Sequence, residues 1–382
     1  MRRQTPTIQA LVLGLLCGCL AGVVPALPLE KAPDVELPIV RESRPLTSLN
    51  LVSNKITTVL SWIERPSPLM AGTRVRSATI KDGRLSGPPV VRSVLEVNSG
   101  RISALDVSLN PITSLPIHVW VLEDNDGSRL ELREGLAETV TLIRSGVLIE
   151  TPVVSHDRDG EAWIAWVETD GISSRVFAAG RDASREWQVI ALGNDGEGYD
   201  VLPQLQPTAR GMRFWWYSIA DGETRVRAGT MVDGLLRRAG EPTIPGPPNR
   251  WPMLYWPSGS RTEAPGAIWL EQQGDGEQYF DKDPRRAADE PKRLGAAERE
   301  VVAVAVSEDR QAAKAWVELE PAGQQPAIRI VVESDGQARH LLTPQHTPEE
   351  VAVSSSDNWH HVAWISPDAF EGVVTLHYAR MR

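Results

Sequence analysis

Cysteine is almost missing from this sequence: 382 residues hold two, Cys17 and Cys19. Everything after residue 19 therefore lacks a disulfide, a thiolate metal site and a cysteine nucleophile. Even in an oxidising compartment its stability must come from the core alone. Positive charge is short as well, with 40 Lys and Arg against 50 Asp and Glu, a net charge of −10. No basic stretch gathers these cations, which argues against nucleic acid as a partner, because phosphate binding needs clustered Lys and Arg. No run is apolar for the roughly 20 residues that a membrane-crossing helix needs. No window sustains a 3.6-residue apolar period, so helices are expected to be scarce. Gly-x-Ser-x-Gly, His-Glu-x-x-His and phosphate-loop motifs are all missing, and with them the common signatures of hydrolases, zinc peptidases and nucleotide binders. No cofactor is expected.

The first residues read as a targeting segment. Arg2 and Arg3 precede a short apolar run, Ile8 to Leu16, as in a secretory signal. Leu16-Cys17-Gly18-Cys19 is similar to a bacterial lipobox, with a small residue before a cysteine that would be cleaved and acylated. Ordinary cleavage after Val24-Pro25-Ala26 is the alternative. Residues 1–26 are thus expected to be a signal peptide, with Cys19 as the candidate lipidation site. Residues 27–382 are expected to form one domain. The protein would be exported, either as an outer-membrane lipoprotein facing the periplasm or cell surface, or secreted. Its only tie to the membrane would be the N-terminal lipid.

What the chain does have is tryptophan, 13 residues against 4 Phe and 5 Tyr, and the tryptophan is periodic. A short apolar run around a Trp recurs at Trp62, Trp120, Trp166, Trp216, Trp269, Trp316 and Trp364, with spacings of 46 to 58 residues. Four-stranded propeller blades repeat at about this period. The third unit shows the strands best: Pro152 to Ser155, Ala162 to Glu168, Ser174 to Ala179 and Trp187 to Leu192, divided by Asp157-Arg158-Asp159-Gly160 and Asp170-Gly171. Asp-Gly between β-rich runs is a hairpin signal, because type I′ turns require positive φ. It recurs at Asp126-Gly127, Asp221-Gly222, Asp275-Gly276 and Asp335-Gly336.

The last unit has three strands, Val351 to Ser355, His361 to Ile365 and Val373 to Ala379, while an unassigned strand, Val35 to Arg41, precedes the first. The fold class expected is all-β, a seven-bladed β-propeller whose last blade is closed by the N-terminal strand, which would leave no open edge. Units two and five are the weakest. If either is not a blade, the propeller has six.

At Asp182-Ala183-Ser184-Arg185-Glu186-Trp187 the chain resembles the sialidase-like (BNR, or Asp-box) superfamily of propellers, with Asp and Trp at the box's spacing and in its turn. Gly180 and Ser184 stand where the box has Ser and Gly. The resemblance implies a structural role for the box, its Asp tying the turn and its Trp packing into the blade. It also implies the family's activity, which would need an arginine triad and a Tyr–Glu pair. Leu37-Pro38-Ile39-Val40-Arg41 does not match the family's N-terminal arginine motif. Arg129, Arg175 and Arg225 each fall nine residues after an anchor Trp, so they are spread around the ring rather than converging. Fold alone does not carry function across.

The anchor tryptophans read as packing between blades. Arg250, Trp251, Tyr255 and Trp256 lie outside the anchor register and are candidate ligand-surface residues, as are Asp195, Glu197, Tyr199 and Asp200 in the connection between units three and four. Loops on rigid scaffolds commonly carry function. The acidic turns fall short of the six to eight oxygens of a calcium site, so no metal is expected. His360 and His361, adjacent in a strand pattern, face opposite sides. The charged stretch from Asp281 to Arg299 reads as a solvated loop. Together these readings point to a non-catalytic binding or scaffold propeller that recognises an envelope protein or a glycan. The alternative is a diverged sialidase-like glycosidase or other carbohydrate-active enzyme.

Overall fold

The computed structural model describes residues 35–381 except 67–71, 82–88, 183, 194–197, 209–210, 233–234, 240–243, 245, 257–264, 274–275, 285–288, 296–298, 308–312, 321–326, 335–336, 341–343, 345, 357–358 and 369–370. Strands alternate with turns through the described residues, with a short 3-10 turn at Pro248–Arg250.

Strand β1 (Val35–Glu42) comes first. The first unit follows, as β2 (Leu46–Ser53), β3 (Thr57–Glu64), β4 (Thr73–Lys81) and β5 (Val91–Val97). The second is β6 (Arg101–Leu109), β7 (Pro116–Asp124), β8 (Gly127–Glu134) and β9 (Val140–Ser145). The third is β10 (Leu148–His156), β11 (Ala162–Thr169), β12 (Ser174–Arg181) and β13 (Trp187–Ala191). The fourth is β14 (Tyr199–Thr208), β15 (Gly211–Ala220), β16 (Glu223–Val232) and β17 (Leu235–Ala239). The fifth is β18 (Met253–Tyr255), β19 (Gly266–Gln273), β20 (Gly276–Lys282) and β21 (Lys292–Arg293). The sixth is β22 (Glu300–Val306), β23 (Ala313–Glu320), β24 (Ala327–Ser334) and β25 (Gln337–His340). Strands β26 (Glu350–Ser356), β27 (Trp359–Asp368) and β28 (Val373–Met381) end the chain.

Each unit is an antiparallel meander. One parallel bridge, Ser174 to Tyr199, joins the third and fourth into a continuous sheet. Strand β1 adds to β28, in register from Val35 opposite Arg380 to Glu42 opposite Val374. The last sheet thus has the order β1-β28-β27-β26.

The meanders follow from the turns. Gly127, Gly171 and the pair Asp221 and Gly222 all have positive φ between paired strands, a conformation that glycine adopts freely. Asp335-Gly336 lies outside the described residues. The first strands of the first, second, third, fourth and sixth units each carry a bulge. Such bulges steepen the local twist. Glu350 of β26 accepts the backbone N–H groups of Ser48 and Leu49 at the first of them, at 3.1 and 2.8 Å.

Packing between units forms the core. Trp62 packs with Ile365, Leu376 and Tyr378 of the last unit, and Trp120 with Val59 and Ile63 of the first. Trp166 packs against the second unit, Trp216 against the third, Trp269 against the fourth, Trp316 against the fifth and Trp364 against the sixth. Every anchor therefore sits in the seam with the preceding unit, and none is more than 4% exposed. Removing a buried Trp of this kind costs roughly 3–5 kcal/mol.

Candidate functional site

Burying an indole N–H without a partner is costly, and in most seams a carboxylate answers it. Trp166 donates to Glu168 at 3.1 Å, Trp269 to Glu271 at 3.3 Å and Trp316 to Glu318 at 2.9 Å. In each case the acceptor stands two residues on, on the same face of the strand. Glu64 holds the same position beside Trp62, and burial raises its pKa. For Trp120 and Trp216, which lack that glutamate, another strand supplies the acid, whereas the Trp364 indole, followed by Ser366, has no such partner among the described residues. Trp120 donates to Glu131 of β8 at 3.0 Å. Asp200 of β14 accepts side-chain hydrogen bonds from Ser218 and Trp216, and burial raises its pKa. The sequence signal for these partners is the repeated Trp-x-Glu, which was visible in the anchor runs but carried no role in the reading of the residues.

Among the described residues the densest group of paired ionisable side chains lies in the seam between the fifth and sixth units. The Tyr255 hydroxyl donates to Asp281 Oδ1 at 2.7 Å. Lys314 Nζ donates to Asp281 Oδ2 at 2.5 Å, lies 3.5 Å from Glu333 Oε1 and sits 4.4 Å from the centre of the Tyr255 ring. Lys292 reaches the other Glu333 oxygen at 3.2 Å. Tyr255, Asp281, Lys314 and Glu333 are all buried. Burial and the Asp281 carboxylate push the pKa of the Tyr255 hydroxyl up, the direction that weakens it as a nucleophile. The charged stretch read as a solvated loop thus begins with a buried carboxylate in β20. Further along it, Arg299 pairs with Glu318 at 3.0 Å.

The residues expected at a ligand surface separate into three groups. Asp195 and Glu197 lie outside the described residues. Tyr255 and Asp200 are buried and occupied as described; the Tyr255 ring lies against Gly266, where any Cβ would come within 2.2 Å of it. Trp256 is half-buried, its ring 6.0 Å from that of Trp215. Exposed are Tyr199, Arg250 and Trp251. Trp251 ends the 3-10 turn in a left-handed conformation, φ 46°. It precedes β18, and Tyr199 opens β14, the first strand of the preceding unit; the two units are joined where the Tyr217 hydroxyl donates to the Pro252 carbonyl at 2.7 Å.

Both adjacent histidines are buried. His361 bonds Tyr378 at 2.7 Å and Ser356 at 3.0 Å, and His360 bonds Ser355 at 2.9 Å. In the turn from 182 to 187, Asp182 accepts the backbone N–H groups of Ser184 and Glu186 and the Gln188 amide, while Trp187 lies under Arg181. Among the described residues no group of three His, Cys, Asp or Glu side chains is placed to hold a metal ion.

These sheets and seams define an all-β protein of successive antiparallel four-stranded units packed side by side like propeller blades. Solved structures similar to it include Trypanosoma rangeli sialidase in complex with sialic acid, at 8% identity and TM-score 0.49 over 93% of this chain. The polysaccharide lyase Uly1 is similar at 9% identity and TM-score 0.48, over 87% of this chain and 90% of its own. NanB is similar at 11% identity and TM-score 0.44, over 93% of this chain and 71% of its own. The chain spans 58% of the length of the T. rangeli enzyme. No protein-family model and no curated protein matches the chain.

Proposed function

We propose that this protein is a non-catalytic binding or scaffold propeller of seven blades, its last blade completed by β1, which is exported and held at the cell envelope by lipid on Cys19. It recognises an envelope protein or a glycan through the end that carries Tyr199, Arg250 and Trp251. The blade number is supported by the seven Trp seams, the last of which brings the final strands back against the first unit. The observation that carries the functional reading is what the ionisable groups do. The one tyrosine–carboxylate pair of the densest cluster, Tyr255 with Asp281, is buried and neutralised by Lys314. A glycosidase of the Tyr-nucleophile type needs that hydroxyl open to substrate and activated by its neighbour. Here it is closed off, and its acidity is moved the wrong way. Exposed aromatic and guanidinium groups beside one another are, by contrast, common recognition elements.

The test pairs binding with turnover. The mature protein should retain glycans on an array, or capture a specific envelope protein, and Trp251→Ala should weaken that binding at least about tenfold, as loss of a central aromatic does. Sialoside and polysaccharide substrates should stay intact. Hydrolysis or elimination that Tyr255→Phe or Asp281→Asn abolishes in a folded protein would overturn the reading.

A further inference from the structure

One end of the first two units is apolar. The β2–β3 turn is tied to the β6–β7 turn by Asn54 Nδ2, which donates to Ser114 Oγ at 2.8 Å, and Asn110 Nδ2 continues the line to the Gly160 carbonyl at 2.8 Å. The β8–β9 turn joins the same end, because Glu134 pairs with Ile117 and the Gly135 N–H donates to the Pro116 carbonyl at 2.7 Å. On these turns stand Ile56, Ile112, Leu115 and Leu136, with Val90 and Val140 at the neighbouring starts of the outer strands. Their exposures run from 44% to 78%. They are half of all the large apolar side chains exposed among the described residues, so the patch is a concentration rather than the usual scatter. Contiguous exposed apolar surface marks a site of interaction.

The N-terminal chain joins the fold at this same end. Thr58, at the start of β3, lies 3.4 Å from His361; His361 pairs with Arg380, and Arg380 pairs with Val35. Sixteen positions before Val35 is Cys19, preceded by the apolar run Ile8 to Leu16. Fully extended, that span reaches about 55 Å at most. A lipid at Cys19 would therefore hold this end, rather than the one with Trp251, nearest the bilayer. Lys55 and Lys81, both exposed, flank Ile56, where headgroup phosphates would meet them.

We propose that this end is a lipid-docking face, seating Ile56, Ile112, Leu115 and Leu136 in the interfacial region of the membrane while the Tyr199–Trp251 end faces away. The proposal rests on the anchored reading of the N-terminus, and interfacial side chains would set how the anchored domain is oriented on the bilayer. The experiment uses the full-length protein, processed in bacteria and reconstituted in vesicles of phosphatidylethanolamine and phosphatidylglycerol at 3:1. The mass of its N-terminal peptide reports acylation separately. A polarity-sensitive fluorophore is placed at Leu136→Cys or, on the opposite end, at Ile172→Cys.

Quenching by spin-labelled lipid should be severalfold stronger at 136 than at 172. Ile112→Asp combined with Leu136→Asp should lower vesicle partition roughly tenfold, as expected for losing about 1.4 kcal/mol of apolar insertion, with an unchanged circular dichroism spectrum. Acylated protein quenched equally at both positions, or more at 172, overturns the docking face and leaves the anchor standing. Quenching at 136 in unacylated protein supports the face and removes the anchor. A label at 136 shielded in a detergent-free dimer before vesicles are added assigns the patch to a second copy and overturns the proposal.

Discussion

Lys314 shows what one residue does in a seam. Its ammonium sits between Asp281 and Glu333 and over the Tyr255 ring; Glu333 also meets Lys292, while Lys314 is the cation that Asp281 is paired with. Lys314→Met keeps the stem and removes the charge. It should cost about 3–5 kcal/mol in urea unfolding, because the buried Asp281 carboxylate is left uncompensated. Adding Asp281→Asn should return part of that loss, and a double-mutant cycle measures the coupling. Strictly additive losses would show that the three groups do not act together.

The buried histidines set an acid limit. Burial lowers His118 and His156 to about 4 and His361 to about 3, against an unfolded value near 6.5. The unfolded chain therefore takes up protons first as pH falls. The stability these residues contribute is complete above about pH 6.5 and is lost on the way down to about pH 4, or about pH 3 for His361, on the order of 3 kcal/mol per histidine. Asp106 works in the opposite sense. Burial raises it to about 7 although it accepts the Val154 N–H at 2.7 Å, so its contribution is complete below about pH 4 and fades as pH rises through 7. Unfolding midpoints taken from pH 4 to 8 should fall steeply on the acid side. His361→Gln should flatten that limb, and Asp106→Asn should steepen it, because Asp106 loses stability over the same interval in which the histidines gain it.

At the scale of elements, β18 is the marginal piece: three residues, paired to β19 from Met253 opposite Ile268 to Tyr255 opposite Gly266. Gly266 is there because the Tyr255 ring fills the space of its side chain. Gly266→Ala should lift β18 from β19 and cost about 1–3 kcal/mol, as overpacking does, with faster amide exchange confined to the fifth unit and its seam. The strands themselves were legible in the sequence. The runs expected at Ala162 to Glu168 and Ser174 to Ala179 are β11 and β12, extended by one or two residues, because apolar alternation and Asp-Gly turns are local signals. The anchor tryptophans were legible as packing for the same reason. The partners of their indoles were only half legible: Glu168, Glu271 and Glu318 follow a visible Trp-x-Glu, but Glu131 and Asp200 come from neighbouring strands. Asp281, Lys314 and Glu333 are brought together by inter-unit packing, across separations no motif spans. Tyr255 was read as surface because its register is irregular. Its burial depends on Gly266 eleven residues away, a pairing that only the fold reveals.

The whole molecule turns on how its two ends meet. β28 has β27 on one side and β1 on the other, and the Tyr378, Leu376 and Ile39 side chains of this sheet share a cluster with Trp62 and Leu60 of the first unit. Without β1, the N–H and C=O groups of β28 that face it would form an open edge, the template along which sheets of different chains join. The last unit would also lose one of the walls that bury Tyr378. Among the described residues the units otherwise pack against their successive neighbours, so losing β1 acts first on the first and last units and through them on the next seams. A mature protein beginning at Ser43 should therefore lose stability by several kcal/mol, unfold over a broader urea range and self-associate in sedimentation. A separate peptide of residues 35–42 should reverse the association by occupying the edge of β28. A truncated chain that stays monomeric and unfolds in one sharp step would show that β1 decorates the last sheet rather than closing the ring, and the seven-bladed reading would lose its closure.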